Sequence, residues 1–231
     1  MKRKIKTPFF SVNPKGYLYG KEVVELAVEA DRLAKQYNID LFYTAQVIDF
    51  PAINEVAERI FLTAQHMDPL APGRGMGYIF PAALQYYNVK ATFLNHAEHP
   101  MNLRDLVKTI KLANSLEMYT IACADSVEEA QAIAQLKPDI LICEPTELIG
   151  TGQTSSAHYR ETSNTAVKQI SPDTLVLQGA GISTGKDVYQ VIKAGADGTG
   201  GTSGIVCAPD KVATLREMIE ALVDARSELG M

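Results

Sequence analysis

Short apolar runs alternate along this chain with longer stretches in which an apolar residue recurs at every third or fourth position. The short runs are mostly apolar, which is typical of strands buried on both faces of a parallel sheet. The pattern predicts eight strands. They are Phe9–Asn13, Asp40–Ala45, Arg59–Gln65, Ala91–Asn95, Tyr119–Cys123, Asp139–Cys143, Thr174–Gln178 and Ala196–Gly201.

The longer stretches have the periodicity of amphipathic helices. Lys21–Tyr37 is the clearest, because its apolar residues fall on one stripe. After the second predicted strand, only a short helix near Ile53–Ala57 fits the pattern. The other predicted helices are Leu103–Leu116, Val127–Leu136, Ser163–Ile170, Asp187–Ala194 and Lys211–Arg226.

This alternation of strand and helix predicts a parallel sheet. Eight units in 231 residues leave about 29 residues for each, which suits compact βα repeats. Eight units favour a closed (β/α)8 barrel over an open doubly wound sheet. With no linker or low-complexity segment in the sequence, we expect residues 1–231 to form a single domain.

The composition argues against several kinds of partner. Net charge is −5, and the 22 basic and 27 acidic residues are interspersed, so no nucleic-acid partner is expected. The one basic cluster, at residues 2–6, is expected to be a frayed, solvated terminus. No apolar run approaches the roughly 20 residues that span a bilayer, and no signal-peptide core is present, so no membrane partner is expected.

The three cysteines are Cys123, Cys143 and Cys207, an odd number without metal-ligand spacing. Cys123 and Cys143 fall inside predicted strands. Buried, reduced thiols in a cytoplasmic protein, with no metal site, are therefore expected.

Polar residues of distinct character stand where the predicted strands end, and in a barrel these ends build the site. Asn13 and Lys15 alternate after the first strand, so both project from one side of an extended segment, and Lys15 is suited to an anionic substrate. Taken alone, Lys15 also fits a surface turn. His96 follows the fourth strand, where a histidine that only serves the core is an equal alternative, and Glu98 could orient or neutralise a neighbouring cation.

The sixth predicted strand ends in the carboxylate of Glu144. Partial burial at the mouth of an apolar strand raises a carboxyl pKa, which suits a general base. Pro145 and a loop that closes on Gly150-Thr151-Gly152 follow it, as expected of a lid. A capping or salt-bridged glutamate is the structural alternative.

Glycine-rich segments follow the last two predicted strands, at residues 179–185 and 198–204. Loops after strands 7 and 8 commonly form the phosphate site of this barrel, because glycine lets the backbone approach an anion closely. The spacing Gly179-x-Gly181-x-x-x-Gly185 also touches on a dinucleotide fingerprint. That match is weak, since it occurs late in the chain and Asp197 stands at the start of the next strand rather than at its end.

Five segments of the chain together resemble the triosephosphate isomerase family, particularly its short form typical of archaea. The segments are VNPK at 12–15, AQHMDP at 64–69, NHAE at 95–98, CEPTELIGTG at 143–152 and GAGIS at 179–183. The resemblance covers most of the chain. The Glu-Pro followed by Ile-Gly-Thr-Gly is highly specific, as is the order lysine, histidine, glutamate on strands 1, 4 and 6.

The resemblance implies interconversion of glyceraldehyde 3-phosphate and dihydroxyacetone phosphate, without a cofactor or metal. It implies that Lys15 holds the substrate's charge, that neutral His96 polarises the carbonyl, and that Glu144 moves a proton between adjacent carbons. This family is the established example of a glutamate base paired with a neutral histidine under a closing loop. By the same resemblance, the substrate and phosphate site would be lined by Asn13, Ile149, Gly150, Gly152, Gly181, Ser183, Thr202 and Ser203.

Several residues depart from the family pattern. Pro14 stands between Asn13 and Lys15, Ala97 replaces a serine after the histidine, and Thr146 replaces the second proline of the lid hinge. Residues 74–77, with Met76, replace a histidine-threonine-glycine pattern in the loop that normally reaches a neighbouring subunit.

These departures leave two further readings open, along with the weak nicotinamide-oxidoreductase reading. One is an aldose–ketose isomerase of a longer sugar phosphate, such as a tetrulose phosphate. The other is a non-catalytic sugar-phosphate-binding barrel. A homodimer or homotetramer is expected, because the long third loop offers Leu70, Met76 and Tyr78 to a partner.

Overall fold

The chain folds into a closed barrel of eight parallel strands, as the alternating pattern predicts. The computed structural model describes residues 2–145 and 156–230. Each strand pairs with the next and β8 pairs with β1, which confirms the predicted fold class. The strands are β1 (Phe9–Val12), β2 (Leu41–Ala45), β3 (Phe61–Ala64), β4 (Ala91–Leu94), β5 (Tyr119–Ala124), β6 (Ile140–Cys143), β7 (Leu175–Gln178) and β8 (Gly198–Gly201).

Helices follow the strands and surround the barrel. They are α1 (Lys21–Tyr37), α2 (Phe50–Asn54), α3 (Pro81–Tyr86), α4 (Leu103–Ser115), α5 (Val127–Ala134), α6 (Ala157–Ile170), α7 (Gly185–Lys193), α8 (Ser203–Val206) and α9 (Lys211–Glu228). The pattern does not predict α3 or α8, which are six and four residues long, because periodicity cannot be detected over so few positions. Helix α6 begins six residues before the predicted Ser163, since its first turns are largely polar and Ser156 caps it.

The core has an inner and an outer layer, because nearly every strand residue is buried. Aromatic rings fill the barrel interior, where Phe42 stacks on Phe61 with ring centroids 4.8 Å apart. The glycine at the start of β8 leaves room for one of these rings, since a Cβ at Gly198 would lie 2.5 Å from the Phe9 ring. The outer layer packs the strands against the helices.

The basic N-terminal segment closes the amino end of the barrel. The two terminal nitrogens of the Arg3 guanidinium donate to the Asp40 carboxylate, at 2.7 and 2.8 Å, and Arg3 lies over the Phe61 ring. Lys2 pairs with Asp139 at 2.7 Å. The prediction of a frayed, solvated terminus is therefore wrong for Lys2 and Arg3. Their acidic partners lie far away in sequence, so the local charge pattern could not reveal the pairing.

We expect Asp40→Asn to lower the free energy of unfolding by about 2–3 kcal/mol at neutral pH, measured by urea denaturation. The Asp40 side chain is fully buried and accepts bonds from Arg3, Arg59 and the backbone N–H of Lys6. Burial raises the pKa of Asp40, but these bonds outweigh it and hold the pKa below its usual value.

A carboxyl with a lowered pKa stabilises the fold above its unfolded-state pKa, and this stability is lost as the pH falls through the lower folded-state value. The difference between wild type and Asp40→Asn should therefore shrink below a pH of about 4. Glu25→Gln is the control, because the Lys21–Glu25 pair is exposed and should contribute at most about 0.5 kcal/mol. Equal effects of the two substitutions would contradict the account of the N-terminal segment.

Among the described residues, none of the helices is both long and apolar enough to cross a membrane.

Candidate active site

A cavity of about 270 Å³ opens at the carboxyl end of the barrel. Three side chains that the family resemblance assigns to catalysis, Lys15, His96 and Glu144, all line it. They follow β1, β4 and β6, so the closed barrel brings together residues that are up to 129 positions apart. Asn13 and Glu98 also line this cavity.

Lys15 is held in an unusual backbone conformation at the mouth of the barrel. Its φ of 48° lies in the left-handed region, which few non-glycine residues adopt. The Asn13 side chain accepts a bond from the Lys15 N–H at 3.0 Å, and the Gln65 amide donates to the Lys15 carbonyl at 2.8 Å. The ammonium pairs with Glu98 at 2.7 Å, which lowers the pKa of that carboxyl. The loop thus fixes a cation beside the cavity.

His96 is a neutral imidazole in this arrangement. Burial lowers its pKa, and the positive charge of Lys15 lowers it further, although Glu98 partly opposes this. The Glu98 backbone N–H donates to His96 Nδ1 at 3.1 Å. Because Nδ1 accepts a bond, the ring proton resides on Nε2. His96 can therefore donate a hydrogen bond without carrying charge.

Glu144 has the properties of a base that works near neutral pH. Its backbone N–H bonds the Ala124 carbonyl at 2.9 Å, which extends the β5–β6 pairing by one residue. Burial raises its pKa to about 6, against the opposing effect of Lys15. A Cβ at position 179 would lie 2.6 Å from Glu144 Oε1, so Gly179 leaves the space that the carboxylate occupies. Sequence reasoning assigned Gly179 to a loop but could not detect this contact.

The loops after β7 and β8 form a wall of the cavity between the strand ends that precede Lys15 and Glu144. Gly181, Ser183, Thr202 and Ser203, which the family resemblance assigns to the substrate and phosphate site, all line this cavity. A Cβ at Gly204 would lie 2.5 Å from the Ile182 carbonyl oxygen, so this glycine allows the two loops to pack closely.

The side chain of Asp187 accepts hydrogen bonds from the loop that follows β7. Its Oδ2 accepts bonds from Ser183 N at 3.1 Å and Ser183 Oγ at 3.3 Å, and from the backbone and hydroxyl of Thr184. Both donors of Ser183 are therefore directed at a carboxylate in this structure. Sequence reasoning missed Asp187, although the spacing Thr184-x-x-Asp187 at the start of α7 is that of a capping box.

Other sequence predictions have different outcomes. Ile149, Gly150, Gly152, Thr146 and most of the lid loop lie outside the described residues.

Within residues 2–145 and 156–230, no group of His, Cys, Asp and Glu side chains could hold a metal ion. Asp197 precedes β8 at the amino end of the barrel, where it pairs with Lys168, so it cannot complete a dinucleotide site around the residue 179–185 loop.

Comparison with known proteins gives a consistent family. The family model described as triosephosphate isomerase matches residues 8–222. The chain is 36% identical to the triosephosphate isomerase of Methanocaldococcus jannaschii over 204 residues, which cover 87% of this chain and 93% of the relative. It is 34% identical to that of Methanothermus fervidus, over 87% of this chain and 91% of the relative. It is 29% identical to that of Sulfolobus acidocaldarius, over 98% of this chain and 100% of the relative. The chain therefore belongs to the triosephosphate isomerase family.

Proposed function

We propose that this protein interconverts glyceraldehyde 3-phosphate and dihydroxyacetone phosphate through an enediolate. The observation that carries the proposal is the meeting of three groups in one cavity: a glutamate whose pKa is about 6, a neutral histidine and a fixed lysine. Moving a carbonyl to the adjacent carbon needs a base at carbon, an electrophile at oxygen and an anchor for charge, which are the roles these groups suit.

In the proposed reaction, Glu144 removes the proton from the carbon next to the carbonyl. The electrons of the broken C–H bond form the C=C bond of the enediolate, and the carbonyl oxygen takes the negative charge. The Nε2–H of His96 stabilises that oxygen, and Lys15 balances the total charge. The hydroxyl proton of the adjacent carbon then moves to the former carbonyl oxygen by way of His96. Glu144 delivers its proton to the former carbonyl carbon, which leaves a carbonyl on the adjacent carbon, so no electrons leave the substrate.

We assign the substrate's phosphate to the wall formed by the loops after β7 and β8. Gly181, Thr202 and Ser203 line the cavity on this wall, and Asn13, which directly follows β1, lines the cavity as well. Ser183 would have to share its N–H between Asp187 and the phosphate, so we give it the smaller part in holding the anion. Ile149, Gly150 and Gly152 are proposed to complete the site from the lid, which would exclude water from the enediolate.

The pH dependence of kcat/KM should follow Glu144. Because the base must be ionised and its pKa is about 6, kcat/KM should fall tenfold per pH unit below about 6. His96, whose pKa is lowered from its ordinary value, should be the neutral imidazole at neutral pH and above. The profile is measured with the coupling enzyme in excess at every pH. The substrate's phosphate also ionises at a pH of about 6, so a substrate analogue whose anionic group keeps the same charge over this range serves as the control. A flat profile between pH 5 and pH 7 would contradict the base assignment.

The proposal is tested by coupled assays in both directions with the two triose phosphates. Turnover in both directions is expected from wild type, and a Glu144→Gln preparation that remains folded should be nearly inactive. Absence of turnover by wild type in either direction would overturn the proposed function.

We further propose a homo-oligomer, either a dimer or a tetramer, located in the cytoplasm. Large apolar side chains stand exposed on the third loop and after it: Met76 is 99% exposed, Tyr78 57% and Tyr86 82%. Two hydrogen bonds between Asp68 and Ile79 join the two ends of this loop. They fix the position of the segment that carries Met76. Burial of these side chains against a second copy would explain their exposure on one chain.

A further inference from the structure

Asn95, the residue before His96, has an unusual backbone and three side-chain hydrogen bonds. Its φ is +57°, in the left-handed region that asparagine tolerates better than most residues. Its Nδ2 donates to the Cys123 carbonyl and to Glu129 Oε1, both at 3.0 Å. Its Oδ1 accepts from the Met101 N–H at 2.9 Å. This one side chain therefore ties the end of β4 to the end of β5, to α5 and to the segment before α4.

The Glu129 carboxylate is itself fixed on both sides. While Oε1 accepts from Asn95, Oε2 accepts from the Asp125 N–H at 2.8 Å. The Glu129 backbone is held as well, because its N–H bonds the Ser126 hydroxyl that caps α5. Asn95 is thus attached to the first turn of a helix rather than to a freely rotating side chain.

The end of β5 is a shared point of attachment for the two proposed catalytic groups that flank it. The Cys123 carbonyl binds Asn95, which precedes His96. The next carbonyl, that of Ala124, binds the backbone N–H of Glu144. In the barrel β5 lies between β4 and β6, so the ends of β4 and β6 are each hydrogen-bonded to one of two consecutive carbonyl groups at the end of β5.

Hydrogen bonds carry much of this connection. A cavity of about 270 Å³ lies among the same strand ends, lined by residues that include Asn95, His96, Glu129 and Glu144. The bonds of Asn95 therefore bridge a region that close packing does not fill, and their loss should let the segment bearing His96 shift.

We infer that Asn95 and Glu129 are positioning residues that hold His96 in register with Glu144 through the end of β5. The inference rests on the proposed isomerase function. Both act on the reaction through His96. A displacement of about 1 Å between a catalytic group and the substrate can cost roughly 100-fold in rate, so loss of these bonds should appear in kcat.

Asn95→Gly tests the inference, because glycine accepts the left-handed backbone while removing all three bonds. We expect kcat to fall about tenfold to 100-fold with KM changed less than about threefold. Asn38→Gly is the matched control. Asn38 also has a left-handed backbone, with φ +50°, and accepts a bond from Lys6 Nζ, but it ends α1 at the opposite end of the barrel. This control should retain wild-type kcat and KM. Glu129→Gln keeps one acceptor oxygen of the two in the carboxylate, so it should lower kcat less than Asn95→Gly does.

A readout independent of activity is the 15N NMR spectrum of the four histidines, with His96 assigned by His96→Gln. Wild type should show His96 as one neutral tautomer, protonated on Nε2, and Asn95→Gly should show a mixture or a shifted Nδ1 signal. Unchanged kcat and an unchanged His96 spectrum in Asn95→Gly would overturn the inference, as would an equal loss of kcat in Asn38→Gly. Wild type that turns over no triose phosphate would overturn the proposed function instead, while the His96 spectrum would still test the positioning.

Discussion

Glu144→Asp is expected to lower kcat about 100-fold while leaving KM nearly unchanged, because the carboxylate retreats by about one methylene from the carbon it must reach. Glu144 stands at the end of β6, and its backbone N–H bonds the carbonyl of Ala124 in β5, so movement of the strand should not compensate for the shorter side chain. Steady-state kinetics with each triose phosphate measure the effect.

Glu25→Asp is the matched control, since Glu25 is an exposed residue of α1 and the same methylene is removed there without consequence for kcat. Thermal unfolding of both variants should stay close to wild type. If Glu144→Asp turned over at the wild-type rate, Glu144 could not be the base, whatever its pKa.

Lys15→Met is expected to lower kcat/KM by roughly 30-fold to several thousand-fold, the cost of about 2–5 kcal/mol for removing one partner of a buried charge pair, here the pair that Lys15 is proposed to form with the bound anionic substrate. Methionine keeps the apolar stem and removes only the charge. Lys15 is 17% exposed and lies beside the cavity, so its charge is poorly screened by solvent. The effect should appear in KM for the anionic substrate and in kcat through the enediolate.

The control for Lys15→Met is Lys21→Met, which removes a lysine charge that is 88% exposed on α1. Salt should weaken substrate binding by wild type more than by Lys15→Met, because screening acts on the charge that the variant lacks. Equal kcat/KM for Lys15→Met and Lys21→Met would show that the Lys15 charge is not used.

The fold was predictable where the sequence repeats a strong local signal. Helix α1 begins and ends at the predicted residues because seventeen positions carry one apolar stripe. The eight strands were found because burial on both faces leaves apolar runs. Helices α3 and α8 are too short to show a period, and the N-terminal segment depends on ion pairs with Asp40 and Asp139, which only the closed barrel brings near it.

The candidate site was predictable as far as polar residues at strand ends could reveal it. Lys15, His96 and Glu144 each interrupt an apolar pattern at the edge where parallel strands meet. Contacts between residues of neighbouring strands cannot be detected from the sequence pattern. The space that Gly179 leaves for Glu144 and the bonds that tie Asn95 to Glu129 exist only once β4, β5, β6 and β7 stand side by side. The roles of all these residues remain predictions for experiment.

The most direct test of the central claim is deuterium incorporation from D2O into sugar phosphates of three, four and five carbons, followed by NMR. The account predicts fastest exchange with the triose phosphates, deuterium at the carbon next to the carbonyl, and loss of exchange in Glu144→Gln. Faster exchange in a longer sugar phosphate, or no deuterium in either triose phosphate, would contradict it.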